Sequence, residues 1–197
     1  DDKRLFLEDP ARLHWRRPWF FEYSIGPSYY YSTNLKVGKT IGYSVSANIG
    51  QWMSSAIGLR AGINLTNAAW TKASETTSLL GKSGVSLDAM LNPFGFTRHY
   101  NWDSPVGLNL YGGYELGQLQ LVHTNINDKT SGRYAGYRLG AQFWAKITND
   151  LRLTFEPNYI LIEHFDRPDG RMKYSQTDFK LGLAVLFRNK LQRNYDV

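Results

Sequence analysis

Residues 41–49 read Ile-Gly-Tyr-Ser-Val-Ser-Ala-Asn-Ile, so every odd-numbered residue is apolar and every even-numbered residue is small or polar. Successive side chains of a β-strand point to opposite faces, and this alternation therefore predicts a strand with one apolar and one polar face. The same pattern recurs in seven other stretches, at 21–31, 57–66, 85–92, 106–116, 137–147, 151–161 and 177–187. We therefore expect an all-β protein of about eight strands.

The connections between these stretches are alternately short and long. Turn-forming residues make up short connections near 50–55 and 148–150, whereas longer polar connections lie near 32–39, 67–83, 118–133 and 163–173. Short turns at one end and long loops at the other are typical of barrels that cross the bacterial outer membrane. The pattern predicts a transmembrane up-and-down antiparallel β-barrel. The connection 93–105 departs from it, because it should be short and has thirteen residues.

Alternation alone does not say which face points inward. A soluble lipocalin-like barrel has the same period, with its apolar face inside and its polar face in water. Here the apolar set contains no charged residue in any of the eight stretches, and the polar set consists mainly of Gly, Ser, Asn and Thr. We interpret the apolar face as lipid-facing and the small polar face as lining the lumen. Pro27 and Pro157 fall on the apolar face inside strands, where they predict local bulges.

Aromatic residues lie near the ends of the predicted strands, as in the interfacial belts of membrane barrels. One belt is expected at the end that carries both termini, and a second belt at the opposite end. The first comprises Trp19, Phe20, Trp52, Phe143 and Phe187, and the second comprises Tyr29, Tyr31, Trp70, Tyr137 and Tyr174.

Composition excludes several other classes of protein. With 42% hydrophobic and 15% aromatic residues among 197, the chain is too apolar to be a disordered tail. No apolar run approaches the roughly 18 residues of a transmembrane helix. The absence of cysteine excludes disulfides, thiolate metal sites and a cysteine nucleophile.

The net charge of +6 is concentrated towards the two ends of the chain, for example at Arg12, Arg188, Lys190 and Arg193. A nucleic-acid-binding protein would instead spread its basic residues along one face, interleaved with aromatic residues. We therefore expect no nucleic-acid partner. Basic flanks fit a position beside an anionic membrane surface, or they are simply solvated tails.

The last strand carries the most specific motif, Lys180-Leu181-Gly182-Leu183-Ala184-Val185-Leu186-Phe187. It resembles the C-terminal β-signal that the barrel-assembly machinery reads, with matches at Lys180, Gly182, Val185 and Phe187. Together with the eight stretches, it makes the chain similar to the eight-stranded outer-membrane barrels of the OmpA type. The resemblance implies an N-terminal periplasmic segment at 1–18, a barrel at 19–188 and a short tail at 189–197. The motif is internal, because ten residues follow Phe187.

The predicted inward face carries charges of both signs. They are Glu22, Asp88, Glu115, Glu156 and Asp178 against Arg60, Arg138, Lys146, Arg152 and Lys180. Eight strands enclose an interior that side chains alone can fill. Charges in such an interior must be paired, and near-equal numbers predict an ion-pair network that plugs the barrel. A narrow or gated channel lined by these charges is the alternative.

Catalysis has less support in the sequence. Some small outer-membrane barrels hydrolyse lipid A or phospholipids, and such an enzyme needs a serine or a metal-bound water beside a histidine. The four histidines are His14, His99, His123 and His164, and no two of them lie at metal-ligand spacing. Residues 122–125 read Val-His-Thr-Asn, without the His-x-Ser pattern of the lipid A deacylases. We expect no catalytic residues, no metal and no cofactor, with a lipid-modifying enzyme as the remaining alternative.

We therefore expect the protein to act through its structure and its contacts with partners, and not through catalysis. We expect a structural or scaffolding barrel, or an accessory subunit of an envelope complex, in the outer membrane of a Gram-negative bacterium with both termini in the periplasm. Its expected partners are outer-membrane lipid and lipopolysaccharide, the barrel-assembly machinery and other outer-membrane or periplasmic proteins. The candidate partner surface combines the two aromatic and basic clusters Trp15, Arg16, Arg17 and Phe94, Phe96, Tyr100, Trp102.

Overall fold

Eight β-strands form one closed sheet in the computed structural model, which describes residues 19–32, 40–71, 77–96, 104–123, 128–164 and 172–187. Each strand pairs with the next in antiparallel orientation, and β8 closes the barrel by pairing with β1. The fold confirms the expected up-and-down antiparallel barrel. The strands are β1 Trp19–Ser32, β2 Thr40–Trp52, β3 Ile57–Thr71, β4 Thr77–Leu91, β5 Val106–His123, β6 Asp128–Lys146, β7 Leu151–His164 and β8 Met172–Phe187.

The two ends of the barrel differ in their connections. At one end, which we call the turn end, β2 joins β3 through residues 53–56 and β6 joins β7 through residues 147–150. A 3₁₀ turn at Pro93–Phe96 follows β4 at the same end. We call the opposite end the loop end. Among the described residues, no helix is long and apolar enough to cross a membrane.

Side chains alternate between the lumen and the outer surface along each strand. On β1, Glu22 and Ser24 are completely buried. The alternate residues Phe21 and Tyr23 are 43% and 49% exposed. The outer surface is apolar, and it includes Leu139 at 68% exposure. An apolar surface of this extent is stable where it meets hydrocarbon rather than water.

The strands extend further towards the loop end than the sequence predicts. Residues 67–71 and 77–83 belong to β3 and β4, and residues 118–123 and 128–133 belong to β5 and β6, so these predicted loops are wrong over most of their length. Outward positions in these parts are polar, as at Gln118 and Gln120. The apolar–polar alternation therefore ends where the outer surface stops being apolar, although the hydrogen-bonded ladder continues.

Both prolines interrupt the ladder without shifting it. Pairing of β1 with β8 skips Gly26 and Pro27, and pairing of β6 with β7 skips Glu156 and Pro157. The register on either side of each gap is the same, so no extra residue is inserted and the predicted bulges are wrong. Each proline lacks a backbone N–H, which accounts for the missing ladder contact.

We expect Leu59→Arg, on the outer surface of β3, to lower the free energy of unfolding by about 2–4 kcal/mol because it places a charge in the apolar band. Urea titration of the barrel in phospholipid vesicles measures this loss. Asn149→Arg, in the exposed turn 147–150, is the control and should change stability by less than about 0.5 kcal/mol. Equal effects of the two substitutions would contradict a lipid-facing position for Leu59.

Candidate functional site

Three layers of buried side chains occupy the lumen. An apolar layer lies towards the turn end, and a second apolar layer lies towards the loop end. Charged residues lie between them on the same inward faces. The turn-end layer consists of Phe20, Trp52, Met90, Tyr111 and Leu186, and the loop-end layer consists of Tyr30, Ala68, Leu119, Tyr134, Ile160 and Ile162.

Arg60 on β3 is the centre of the charged layer. Its Nε and Nη2 donate hydrogen bonds to Asp88 Oδ2 at 3.0 Å and 2.8 Å, and its Nη1 donates to Glu156 Oε2 at 2.9 Å. Glu22 Oε1 lies 3.7 Å from the same Nη1. One guanidinium thus holds carboxylates from β1, β4 and β7, and all four side chains are fully buried.

A second group of charges forms around Glu115 on β5. Lys82 Nζ donates to Glu115 Oε1 at 2.7 Å, Tyr134 Oη donates to the same oxygen at 2.6 Å, and Arg138 Nη1 donates to Oε2 at 3.1 Å. Arg138 Nε also lies 3.7 Å from Asp88 Oδ1. Arg138 therefore joins this group to the carboxylates around Arg60.

Tyr111 connects the charged layer to the turn-end layer. The Arg60 guanidinium lies 4.2 Å from the centre of its ring, and the Arg138 guanidinium lies 6.0 Å from it. The Tyr111 hydroxyl donates to Glu156 Oε1 at 2.6 Å. Cation–π contact with a buried ring stabilises both guanidiniums while their carboxylate partners neutralise them.

Two further charges of the lumen, Asp178 and Lys180, form a third group on β8. Asp178 accepts hydrogen bonds from Ser28 Oγ at 2.5 Å and from Gln176 Nε2 at 2.7 Å. Lys180 Nζ donates to Ser46 Oγ at 3.0 Å and lies 4.0 Å from Asp178 Oδ2. Among the described residues, five basic and five acidic side chains are buried, so their formal charges balance. They are Arg60, Lys82, Arg138, Arg152 and Lys180 against Glu22, Asp88, Glu115, Glu156 and Asp178.

Inward glycines make room for the large rings of the lumen. Tyr111 pairs with Gly140 across β5 and β6, and a Cβ at Gly140 would lie 2.4 Å from the Tyr111 ring. The other inward aromatic residues that face a glycine repeat this arrangement. The register pairs are Phe20 with Gly50, Trp52 with Gly58, Tyr134 with Gly117 and Trp144 with Gly107.

A small cavity remains among the described side chains of the lumen. Its volume is about 20 Å³, and it lies near the turn end, between Phe20, Glu22, Trp144, Arg152 and Thr154. This volume fits about one water molecule. Within the described ranges, no three histidine or carboxylate side chains are grouped so that they could hold a metal ion.

Comparison with protein-family models and with curated proteins finds no match. Solved structures match over nearly their whole length. Neisserial surface protein A is 15% identical, with a TM-score of 0.58 over 86% of this chain and 97% of that one. Ail of Yersinia pestis, in complex with the heparin analogue sucrose octasulfate, is 11% identical, with a TM-score of 0.54 over 87% and 99%. A major outer membrane protein of Thermus thermophilus is 12% identical, with a TM-score of 0.55 over 87% and 99%.

The fold is that of a small outer-membrane β-barrel. The resemblance to eight-stranded outer-membrane barrels is thereby confirmed at the level of fold, and the likeness supports an outer-membrane location.

Six of the ten charges predicted for the lumen meet in one network, namely Glu22, Arg60, Asp88, Glu115, Arg138 and Glu156. Asp178 and Lys180 lie beside each other on β8. Arg152 is buried near the turn end, where its guanidinium lies 3.8 Å from the centre of the Trp144 ring. Lys146 is half-buried at the end of β6. Sequence reasoning missed Lys82, because the predicted loop 67–83 included it.

The expected aromatic belts are only partly present. Phe20 and Trp52 point into the lumen and are 4% and 3% exposed, so their assignment to a belt is wrong. Trp19, Phe143 and Phe187 face outward at the turn end, and Tyr29, Tyr31 and Tyr137 face outward towards the loop end. The side chains of Trp70 and Tyr174 lie outside the described residues.

The other predicted sites occupy different parts of the barrel. In the assembly motif, Lys180 and Gly182 face the lumen, whereas Val185 and Phe187 face outward. His123 ends β5 and His164 ends β7, and their side chains lie outside the described residues. Of the candidate partner surface, Phe94 and Phe96 are described and exposed. Trp15, Arg16, Arg17, Tyr100 and Trp102 lie outside the described residues.

We expect Arg60→Ala to lower the free energy of unfolding by about 3–5 kcal/mol, because it leaves buried carboxylates without their cation. Urea titration of the folded barrel in detergent micelles measures the change. Lys146→Ala, at the half-buried end of β6, is the matched control and should cost much less. A small loss in Arg60→Ala would show that Asp88 and Glu156 do not depend on Arg60.

We expect Gly140→Ala to destabilise the barrel by about 1–3 kcal/mol, because the added methyl group collides with the Tyr111 ring. Gly112→Ala is the control, because a Cβ at Gly112 has its nearest neighbours at 3.8 Å. Thermal unfolding in detergent compares the two variants. Equal melting temperatures would contradict the tight fit of Tyr111 against Gly140.

Proposed function

We propose that the chain is a non-enzymatic structural barrel of the Gram-negative outer membrane whose lumen is closed to ions and solutes. The arrangement of the lumen carries this proposal. Two apolar layers enclose a neutral network of paired charges, and Arg60 alone holds three carboxylates from three strands. In an eight-stranded barrel such side chains fill the interior.

The outer surface supports the membrane location. Its apolar residues lie on all eight strands, as with Ile25 on β1 and Leu139 on β6. Buried charged side chains occur on the inner face of every strand except β2, and those around Arg60 and Glu115 are paired. The four-residue turns 53–56 and 147–150 support a periplasmic turn end, and we propose that both termini lie in the periplasm.

The geometry favours a closed barrel over a narrow channel. An ion crossing the lumen would have to displace Trp52 and Met90 at one end, Tyr134 and Ile160 at the other, and the ion pairs of Arg60 between them. Conduction needs binding sites that an ion enters favourably and that hold it weakly enough for it to leave. Hydrogen bonds from Arg60 at 2.8–3.0 Å occupy the carboxylates that would serve as such sites.

The same packing argues against chemistry in the lumen. A cavity of about 20 Å³ is too small for any part of a lipid substrate larger than a methyl group or a water molecule. The inward carboxylates bind arginine, lysine, tyrosine or glutamine side chains, as Glu115 and Glu156 do. The barrel therefore acts through its surfaces, as a scaffold or as an accessory subunit of an envelope complex.

We expect the purified barrel to give no steady conductance in a planar lipid bilayer, because its lumen is closed. The sample must first be shown to be folded, by a difference in gel migration between unheated and boiled protein. A general porin in the same bilayer is the positive control. Stable, ohmic current steps from the folded barrel would favour the channel alternative instead. A lipid A species that depends on His123 or His164 in cells would favour the enzyme.

A further inference from the structure

The turn end of β2, β3 and β4 carries an exposed apolar surface that the closed lumen does not explain. Met53, Phe94 and Phe96 are 45%, 52% and 67% exposed. We call these three residues the turn-end patch. They belong to the two adjacent turns 53–56 and 93–96, in a part of the chain where short polar turns are usual.

Hydrogen bonds brace the two turns against each other. Asn92 N donates to Ala56 O at 2.7 Å, and Ser55 Oγ donates to Gly95 O at 2.7 Å. The Asn92 side chain bridges the turns, since its Nδ2 donates to Ser55 O at 3.2 Å and its Oδ1 accepts from Phe94 N at 3.1 Å. The Phe94 and Phe96 side chains therefore extend from a fixed backbone.

Close packing of the backbones adds to this bracing. Gly95 is buried, and a Cβ at this position would lie 2.1 Å from Ser55 O. Only glycine allows the turns to approach so closely. The backbone that carries the exposed rings is thus held in a defined position, unlike the backbone of a loosely attached loop.

The patch continues the lipid-facing band of the barrel. Ile57 and Leu91 are register partners at the ends of β3 and β4, and both face outward at 48% and 39% exposure. Met53 lies four residues before Ile57, and Phe94 lies three residues after Leu91. The Met53 backbone N–H donates to Ile57 O at 2.8 Å, so the patch adjoins the outward-facing ends of β3 and β4.

The chemistry of the patch fits lipid better than protein. Cores of protein–protein interfaces are enriched in Tyr, Trp and Arg as well as Phe and Met. The three exposed side chains of the patch carry no hydroxyl, indole or charge, and therefore offer no directional contact. Phenylalanine and methionine gain most from apolar surroundings, which the upper acyl region of a leaflet provides.

The turn 147–150 at this end begins like the turn 53–56, because Ile147 is 55% exposed as Met53 is 45% exposed, but no counterpart of Phe94 and Phe96 follows in it. Residues 148–150 are Thr-Asn-Asp, and the Thr148 hydroxyl accepts hydrogen bonds from the backbone N–H groups of Asp150 and Leu151. Thr148 and Asn149 are exposed and polar. The apolar extension is therefore on the β2–β5 side, and the β6–β7 side ends in groups that suit water.

We infer that the turn-end patch is a one-sided membrane anchor, which inserts into the glycerol and upper acyl region of phospholipids at the turn end. The inference rests on the membrane location in the proposed function. An anchor on one side draws that side of the barrel deeper into the leaflet. It thereby fixes the tilt and depth of the barrel without a partner protein.

Site-directed spin labelling tests this inference directly, because the chain has no cysteine. Single variants Phe96→Cys, Asn149→Cys and Leu87→Cys are labelled with a nitroxide and reconstituted into phosphatidylethanolamine–phosphatidylglycerol vesicles. Oxygen collides mainly with labels in lipid, and a water-soluble nickel chelate collides mainly with labels in water. Leu87 lies in the middle of the lipid-facing band and reports the membrane location itself.

We expect the labels at 87 and 96 to be several-fold more accessible to oxygen than to the nickel chelate, and the label at 149 to show the reverse. A water-accessible label at 96 beside a lipid-embedded label at 87 would overturn the anchor alone. Water-accessible labels at 87 and 96 together would overturn the proposed membrane location. A lipid-embedded label at 149 would overturn the one-sidedness.

A photo-crosslinking residue in place of Phe96 completes the test in cells. The anchor predicts that it captures phospholipid. Capture of one discrete envelope protein in place of lipid would overturn the anchor and identify the patch as a docking surface. Unheated gel migration confirms that each variant is folded before it is scored.

Discussion

Arg60 is the contact on which the interior of this barrel depends. A guanidinium without water must have its hydrogen-bond donors satisfied and its charge neutralised. Arg60 meets both needs with Asp88 and Glu156, while Glu22 lies nearby. Because these carboxylates come from β1, β4 and β7, the interaction joins strands that do not pair with one another. Backbone hydrogen bonds between neighbouring strands hold the wall of the barrel together. Arg60 links side chains across the lumen.

The lipid-facing part of the fold was the most predictable from the sequence. Stretches such as 41–49 alternate because one face meets hydrocarbon, and each stretch lies in a strand except for its last residue at 92 and at 147. Strand ends were less predictable. Above the apolar band the outer face of β5 and β6 is polar, as at Gln118, whereas inward Leu119 is apolar, so the apolar-outward alternation ends although the backbone remains paired. Lys82 was missed for this reason, because the pattern predicts a loop over its part of β4.

The candidate site was predictable by face but not by depth. Phe20, which the aromatic pattern predicts for an outer belt, shares the parity of Glu22 and faces inward. Period two places Glu22 and Arg60 on the inward face, and the structure has both there. The alternation does not show that Phe20 lies in the turn-end apolar layer and Arg60 in the charged layer. That order depends on the stagger between neighbouring strands, which sequence alternation does not contain. The inward positions of the alternation predict the near balance of charge, but the particular pairs follow from the stagger.

The pairing of rings with glycines also selects among alternative alignments of the strands. A slip of one residue would reverse the two faces, and the hydrophobic pattern alone forbids it. A slip of two residues preserves the faces, so that pattern cannot detect it. Such a slip between β5 and β6 would move Tyr111 from Gly140 to Arg138 or Gln142, whose side chains would collide with its ring. The glycines opposite Tyr134 and Trp144 repeat this check between β5 and β6, and those opposite Phe20 and Trp52 impose it on β1 with β2 and on β2 with β3. The small residues of the lumen thus carry the information that fixes how far each strand is displaced along its neighbour.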